Sequence, residues 1–455
     1  MWLKVRIIKM KKLIVFSAFL FIQNIFASNT AFVIGKPLPR WQAGELDIYH
    51  IHEGAGNSTF MIFPDGTTLL YDLGDMVPKN KDIKNAELVQ YSSVLPNNSK
   101  TPYEWVAHFI KIYSPHPTIL NYVVISHYHF DHVGEWNPSR PTDSNGNYKL
   151  IGVAGLEKEI HIQTLIDRSY PDYNHHGDFP GNVDQYVNSK NNYRRLTALT
   201  MQNYKRFVEY QVKQKHLNAE KFTVGSNKQI HLIYHPRHDF EVQNIIGDGY
   251  VWTGKGLKTY YFFPRAENDL TGNAEPENDL SNGFRIDYGP FRYFTGGDMT
   301  GRELSGNDVS TSAEAVAAPV IGTVDVATMD HHGFDDAQSN IFVKTLRPLI
   351  WIQQNWAVTQ TTFDMLLRTT SMLNYNYVRD LFALQYFKLN DLSLPSFGAK
   401  NQGPIEQYYK NTMGHVVVRV IPGGKEFWII VLTSNTPNPV IKAVYGPYHS
   451  LDKNI

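Results

Sequence analysis

Three histidines and an aspartate lie within six residues of the segment V-V-I-S-H-Y-H-F-D-H-V-G-E-W, Val123–Trp136. Imidazole nitrogens and carboxylate oxygens are the ligands that Zn²⁺ and its divalent neighbours take from proteins. In an extended segment His127 and His129 project to the same side, and the following turn aims Asp131 and His132 at a second point nearby. This spacing predicts two metal ions bridged by water. The alternative is a chance cluster, which should arise on the order of once per thousand such chains.

Two later segments end in residues of the same chemical type. Phe291–Asp298 (F-R-Y-F-T-G-G-D) is a predicted strand that runs into a glycine turn with one carboxylate at its tip. Asp298 could bridge two metals there, and the alternative is an ordinary turn aspartate. Val324–Gly333 (V-D-V-A-T-M-D-H-H-G) is a second predicted strand that ends in His331 and His332. Adjacent histidines at a strand end, before a glycine, indicate a metal ligand.

Strands are the elements that must position these residues. Two apolar segments, Ser58–Phe63 and Thr67–Asp72, are separated by Pro64-Asp65-Gly66 and predict a hairpin. Asp72 ends the second strand, where its carboxylate could orient a ligand histidine from behind. The apolar run Thr118–Ser126 predicts a buried strand that leads directly into the histidine cluster.

The remaining elements predict an α+β architecture in one domain at residues 28–455. Further strands are predicted at Gln229–Tyr234, Gly283–Tyr288, Phe291–Thr295, Thr323–Met329 and Leu349–Ile352, helices at residues 103–114, Leu196–Lys215, Ala313–Ala318 and Phe342–Pro348, and a final hairpin at His415–Leu432. This order suits two sheets covered by helices on their outer faces. The polar stretch at about 137–248 has no linker on either side and is interpreted as surface elaboration. His415 is interpreted as a surface residue, with a place in the cleft as the alternative.

The first 27 residues are typical of an export signal. Five basic residues precede the apolar run Leu13–Ile22, and Ala27 offers a small residue before the cut. The run is too short to span a bilayer, so we expect a secreted or periplasmic protein with no membrane span in the mature chain. The chain has no cysteine, which excludes a lipid-modified cysteine, disulfides and thiolate ligands.

Net charge limits the class of partner. The chain contains 43 basic and 43 acidic residues, and the predicted signal holds five of the basic ones and none of the acidic ones. The mature chain therefore has 38 basic and 43 acidic residues. This balance does not favour long nucleic acid and leaves a small-molecule or surface-attached substrate as the expected partner.

The order of these segments resembles the metallo-β-lactamase superfamily, and within it the ComEC-type branch, named for the hydrolase domain of bacterial DNA-uptake channels. Gly54–Gly74 resembles the opening hairpin of that branch with its aspartate, and S-H-Y-H-F-D-H-V-G-E resembles the superfamily's hallmark motif. Glu277–Asp298 resembles the paired strands that end in the bridging aspartate. D-H-H-G followed by Phe342–Pro348 resembles the last ligand motif and its helix. The resemblance covers most of the chain.

The resemblance implies a four-layer αββα sandwich with divalent metals, two Zn²⁺ or alternatively Mn²⁺, at one edge between the sheets. It implies these ligands: His127 and His129 for one metal, Asp131 and His132 for the other, and Asp298 between them. One of His331 and His332 completes the second metal. The H-G endings elsewhere in the superfamily favour His332, which leaves His331 to face the substrate.

Many superfamily members have one further ligand histidine between the hallmark motif and the bridging aspartate. The candidates here are His161, His175, His176, His231, His235 and His238. H-H-G-D at His175–Asp178 is the most suggestive of them, although a polar loop histidine is the favoured interpretation. The number of metals stays open at this point.

The expected reaction is hydrolysis by a metal-bound hydroxide. Asp131 would orient the nucleophile and accept its proton, and His331 would donate a proton or contact the oxyanion. A phosphodiester is the first substrate class, because the ComEC-type branch is associated with nuclease-like activity. A carboxylic ester, lactone or β-lactam is the alternative. A ligand-binding module that has lost activity is a third possibility, against which the intact ligand set argues.

Overall fold

The computed structural model describes residues 32–54, 56–76, 90–263, 276–303, 307–387, 389–390, 405–410 and 413–451. The export signal predicted at residues 1–27 lies outside these ranges. Residues 32–455 group as one compact unit. Within the described ranges, no helix combines the length and the apolar character that crossing a membrane requires.

The strands and helices are numbered in chain order. The strands are β1 (Leu46–His50), β2 (Thr59–Ile62), β3 (Thr68–Tyr71), β4 (Ile119–Val124), β5 (His161–Asp167), β6 (His175–His176), β7 (Phe179–Asn182), β8 (Asn218–Lys221), β9 (Phe240–Gly247), β10 (Tyr250–Trp252), β11 (Thr259–Tyr261), β12 (Gly283–Tyr288), β13 (Phe291–Thr295), β14 (Val326–Thr328), β15 (Ile350–Gln353), β16 (Asp380–Ala383), β17 (His415–Val420), β18 (Glu426–Leu432) and β19 (Ile441–His449). The helices are α1 (Pro102–Tyr113), α2 (Phe130–Val133), α3 (Gly152–Glu159), α4 (Asn192–Lys213), α5 (Ala313–Ile321), α6 (Asn340–Leu346) and α7 (Phe363–Thr370).

Most of the strands belong to two large mixed sheets. The first sheet has the order β19-β18-β17-β1-β2-β3-β4-β5-β8, and the second has the order β11-β10-β9-β12-β13-β14-β15-β16. In the first sheet the pairs from β3 to β8 are parallel, and in the second sheet the pairs from β13 to β16 are parallel. The other neighbours are antiparallel, including the predicted β2–β3 and β17–β18 hairpins, which are confirmed.

The two sheets pack face to face, and helices cover their outer faces. The last residues of β4 show both interfaces, because Val123 packs with the helices while its neighbours Tyr122 and Val124 pack towards the second sheet. The outer core of the first sheet includes residues of α1, α3 and α4, and that of the second includes residues of α5, α6 and α7. The chain is therefore a four-layer αββα sandwich, as predicted.

The stretch at 137–248 is not only surface elaboration, and that interpretation is wrong for several of its elements. Strand β5 pairs with β4 in the first sheet, and β9 pairs with β12 in the second. Ile162 and Val242 of these strands are buried in the cores. The sequence analysis missed β5 and β9 because the polar loops between them dominate the composition of the whole stretch.

The strand predicted at Gln229–Tyr234 is also wrong, since this segment lies outside the strands of the described residues. Ile230 and Leu232 still pack into the core between the sheets, which explains the alternating pattern. The amide of Tyr234 donates to the Asp65 carboxylate at 2.8 Å instead of to a neighbouring strand. The Asp65 carboxylate, in the β2–β3 turn, thus accepts a backbone amide that would bond a neighbouring strand if this segment belonged to a sheet.

Parallel strands bring the functional segments to one edge of the sandwich. Asp72 follows β3 and His127 follows β4 in the first sheet. Asp298 follows β13 and His332 follows β14 in the second sheet. Because these four strands run in parallel pairs within each sheet, their carboxyl ends carry the predicted site residues to a common position.

Candidate metal centre

The structure brings together every side chain that the sequence analysis proposed as a metal ligand. These are His127, His129, Asp131, His132, Asp298 and His332. All except His129 are buried, and the side chain of His129 is 20% exposed. The assembled groups fall into two clusters that share one aspartate.

One cluster consists of Asp131, His132, Asp298 and His332, whose ligand atoms lie within 4.8 Å of one another. His332 Nε2 lies 2.8 Å from Asp131 Oδ2 and 3.3 Å from Asp298 Oδ2. His132 Nε2 lies 3.2 Å from Asp298 Oδ1. We call this group the second cluster, because it contains the ligands predicted for the second metal. Two imidazoles and two carboxylates around one point form a ligand set that suits Zn²⁺ or a neighbouring divalent ion.

The other cluster consists of His127, His129 and Asp298. His127 Nε2 lies 3.1 Å from His129 Nδ1 and 3.8 Å from Asp298 Oδ2. We call this group the first cluster. Asp298 belongs to both clusters, which is the placement that a bridging carboxylate requires.

Buried atoms without hydrogen-bond partners show that these clusters fit a metal. His132 Nε2, His332 Nε2 and Asp298 Oδ1 are buried and make no hydrogen bond. Leaving such a group unpaired costs about 1–3 kcal/mol, so native proteins rarely tolerate several at one point. A cation between these atoms would satisfy them together.

The Nδ1 atoms of His132 and His332, which point away from the cluster's carboxylates, have hydrogen-bond acceptors of their own. His132 Nδ1 lies 2.8 Å from Asp72 Oδ2, and His332 Nδ1 lies 3.0 Å from the Gln354 carbonyl oxygen. An acceptor at Nδ1 keeps a proton on that nitrogen and leaves Nε2 free to bind a metal. Asp72 thus lies against His132, and its role in orienting that ligand stays a prediction.

His176 and Asp178 extend the first cluster, which the sequence analysis treated as the less favoured outcome. Together with His129 they form a further group of ligand-type side chains. The rings of His129 and His176 have centroids 5.9 Å apart, and His176 Nε2 is buried without a hydrogen bond. Asp178 Oδ2 lies 2.9 Å from His129 Nε2. The interpretation of His176 as a polar loop histidine is therefore wrong, since it is 0% exposed.

The other candidate histidines lie elsewhere. The ligand-type groups found among the described residues contain none of His161, His175, His231, His235 and His238. His161 Nδ1 lies 3.1 Å from Glu157, at the start of β5. His415 is buried and its Nδ1 accepts the His52 amide at 3.0 Å, so its interpretation as a surface residue is wrong.

Opposite charges balance within the second cluster. Burial disfavours the charged form of His332, but the carboxylates of Asp298 and Asp131 raise its pKa to about 10. The same competition holds the pKa of His132 well above its usual value. In the first cluster, burial and the neighbouring His132 hold the pKa of His127 well below its usual value. The carboxylates of the second cluster therefore favour positive charge at this position, which is the charge that a bound cation would supply.

Strained backbone marks the same position. Asp72, His331 and His332 have φ angles of 60°, 44° and 56°. Non-glycine residues in this left-handed region cost about 1–2 kcal/mol each. Such strain persists where the surroundings hold it, and it concentrates at functional sites.

His331 lies outside the two clusters. Its Nδ1 lies 2.6 Å from Asp336 Oδ1, and its Nε2 lies 3.2 Å from Asn278 Nδ2. The side chain is 22% exposed, whereas that of His332 is 2% exposed. The structure thus separates the two adjacent histidines as the sequence analysis expected, with His332 inside the second cluster and His331 beside it.

No protein-family model matches this sequence, and no curated protein sequence matches it. The Zn²⁺-bound PqqB from Methylobacterium extorquens is a similar solved structure, 11% identical over 63% of this chain and 72% of that chain, with a TM-score of 0.26. The hydrolase AbOPH of the beta lactamase superfamily is 11% identical over 59% of this chain and 75% of that chain, with a TM-score of 0.29. A protein of unknown function from Enterococcus faecalis V583 is 8% identical over 81% of this chain and 75% of that chain, with a TM-score of 0.28. At these values the likenesses carry no argument, and the fold assignment rests on the layers themselves.

Three residues of the site were missed at the sequence level. Asp178 bonds His129, Glu277 bonds the backbone between His127 and His129, and the Trp356 indole donates to Asp131 Oδ2 at 3.1 Å. The motif H-H-G-D carried a signal for Asp178. Glu277 begins the segment that resembles the family's paired strands, but that resemblance assigns it no role, and Trp356 lies in a segment without a motif. Only the folded chain reveals their contacts with the site.

Proposed function

We propose that this chain is a metal-dependent hydrolase of the metallo-β-lactamase superfamily that holds two divalent metals. The observation that carries the proposal is the position of Asp298, which belongs to both clusters of buried ligand atoms. His127, His129 and His176 would hold one metal, and Asp131, His132 and His332 would hold the other. Zn²⁺ is the first choice, because nitrogen and oxygen donors in small clusters suit it.

Metals held there would lower the pKa of bound water to about 7 and stabilise charge on the attacked group. Asp131 would orient the nucleophile, and the Trp356 indole, which donates to its Oδ2 at 3.1 Å, supports this role by fixing the carboxylate. His331 lies beside the metal clusters and its side chain is 22% exposed. Asp336 holds its Nδ1 and the Asn278 amide lies 3.2 Å from its Nε2, so His331 would contact the substrate by exchanging the Asn278 contact for it.

A small phosphodiester is the first proposed substrate. A pair of metals can stabilise both the attacking and the leaving oxygen of an in-line displacement, and this suits phosphoryl chemistry. The ComEC-type resemblance of the sequence supports the same class. The charge balance of residues 28–455 disfavours long nucleic acid, and the predicted export signal supports an activity outside the cytoplasm.

A carboxylic ester or lactone is a second candidate, because aromatic side chains contact the metal-site carboxylates. Trp356 bonds Asp131 and stacks on Tyr91 with ring centroids 6.0 Å apart. Tyr193 is 43% exposed and donates its hydroxyl to Asp178 at 2.8 Å. Aromatic side chains next to the metal clusters favour a substrate with an apolar group beside its reacting carbonyl.

Two chromogenic substrates test the proposal and separate the candidates. The full chain would be assayed with bis-p-nitrophenyl phosphate and with p-nitrophenyl acetate, with and without a chelator. His129→Ala should abolish turnover, while the control His161→Ala, at an exposed histidine beside Glu157, should retain it. Turnover of the acetate alone would favour the ester. Bound metal without turnover of either substrate would favour the ligand-binding module and contradict the phosphodiesterase.

A further inference from the structure

A single buried carboxylate joins three segments around the first cluster. Glu277 is 0% exposed and begins a short 3-10 helix, Glu277–Leu280. Its Oε1 accepts from the Tyr128 amide at 2.9 Å, and its Oε2 accepts from the Gly177 amide at 2.7 Å. Arg168, directly after β5, donates to the same two oxygens at 2.9 and 2.5 Å. The hydrogen bonds of this carboxylate thus fix the backbone of two segments and the guanidinium of a third, and its Oε2 also lies 3.6 Å from His176 Nδ1.

These contacts fall between the residues that would bind the first metal. Tyr128 lies between His127 and His129, and Gly177 lies between His176 and Asp178. The Glu277 amide also donates to Asp178 Oδ1 at 3.1 Å. The carboxylate therefore holds the H-x-H segment and the H-H-G-D segment at a fixed separation.

Arg168 is held as firmly as the carboxylate it binds. Its guanidinium donates to Ser169 Oγ at 2.9 Å and to the His175 carbonyl oxygen at 3.2 Å. It also lies 4.6 Å from the centre of the Tyr128 ring. The planar guanidinium of Arg168 bonds partners on both of its edges. The single ammonium group of a lysine could not make the two parallel hydrogen bonds to the Glu277 carboxylate.

We propose that Glu277, together with Arg168, is a positioning residue that sets the geometry of the first metal site. The inference rests on the proposed function, since it requires that His129 and His176 bind the same metal. The effect is selective, because Glu277 bonds the segments of His127–His129 and His176–Asp178. The second cluster is oriented by other groups, Asp72 on His132 and the Gln354 carbonyl on His332.

Stepwise Zn²⁺ titration of the chelator-treated full chain, followed by calorimetry, tests this role. Glu277→Gln should weaken one of two Zn²⁺ sites by about 10–100-fold, the usual effect of losing a group that orients ligands, and leave the other unchanged. The weakened step should match the step that His176→Ala removes and differ from the step that His332→Ala removes. Arg168→Lys should weaken the same site by a smaller factor.

Asp47→Asn is the matched control. Asp47 and Arg419 form a buried fork of the same kind, with Arg419 Nε and Nη2 donating to the two Asp47 oxygens at 2.8 and 2.6 Å. These residues lie in β1 and β17, so this substitution should lower stability and leave both Zn²⁺ affinities unchanged.

Two results would overturn the inference. One is an unchanged pair of affinities in Glu277→Gln, and the other is an equal loss at both sites. If Glu277→Gln does not fold, Arg168→Lys decides on the same criteria. Failure of the proposed function is a distinct result, because the unsubstituted chain would then bind no Zn²⁺ at all.

Discussion

His132 and Asp72 form a buried pair in which His132 Nδ1 lies 2.8 Å from Asp72 Oδ2. Asp72 is itself fixed, because its oxygens accept from the amide and hydroxyl of Ser126 at 2.6 and 2.7 Å. The pair turns His132 Nε2 towards Asp298, where it makes no hydrogen bond. The end of one strand thus orients a ligand histidine that follows the next strand.

Removing the charge of Asp72 should weaken the second metal site. Asp72→Asn keeps the shape of the side chain and tolerates the positive φ of this position, so the fold should survive. We expect Zn²⁺ affinity at one site to fall about 10–100-fold, as measured by calorimetry. Asp65→Asn, in the turn at the other end of the same hairpin, is the control. Equal affinities in Asp72→Asn and the unsubstituted chain would exclude an orienting role for Asp72.

Adjacent histidines allow a direct test of the third ligand of the first metal. His176 is buried against His129, whereas His175 is exposed. We expect His176→Ala to retain about one metal per chain by elemental analysis, and His175→Ala to retain two. Retention of two metals in both variants would remove His176 from the ligand set.

His331 and His332 should differ in the same kind of comparison. His332→Ala should lose the metal of the second cluster, because His332 Nε2 faces Asp131 and Asp298. His331→Ala should retain both metals, because His331 lies outside both clusters, and should lower kcat by about 10²-fold through loss of its proposed contact with the substrate. Metal loss in His331→Ala, with full retention in His332→Ala, would reverse the assignment.

Metal binding at the second cluster should depend on pH. The Asp298 and Asp131 carboxylates outweigh burial and raise the pKa of His332 to about 10, so this ring is protonated at neutral pH without a metal. Zn²⁺ must displace that proton, and affinity should therefore rise with pH between 6 and 8, by up to about tenfold per unit for each proton released. Calorimetry in buffers of different ionisation enthalpy counts the protons. Affinity that is flat over this range, without proton release, would contradict the charge balance described for the cluster.

The sequence predicted the parts of the site that lie in compact motifs. His127, His129, Asp131 and His132 fall within six residues, and a strand directly before them fixes where they point. Asp298 and His332 were found because each follows an apolar strand and lies next to a glycine. Local spacing and strand ends were sufficient for these residues.

Long-range contacts explain what the sequence left out. Glu277 bonds Tyr128 across 149 positions and Gly177 across 100 positions, and no sequence pattern links residues so far apart. His176 lies in a short two-stranded element within a polar stretch, so its burial against His129 was not visible. Strands β5 and β9 were obscured by the same polar surroundings. Such relationships depend on which sheets the flanking strands join.

Metal stoichiometry tests the central claim most directly. The full chain would be stripped with a chelator, titrated with Zn²⁺ and measured by elemental analysis after removal of unbound metal. The account predicts two Zn²⁺ per chain, because Asp298 belongs to two clusters of ligand-type side chains. A chain that binds no Zn²⁺, and no Mn²⁺ in a parallel titration, would contradict the metal centre and the hydrolase built on it.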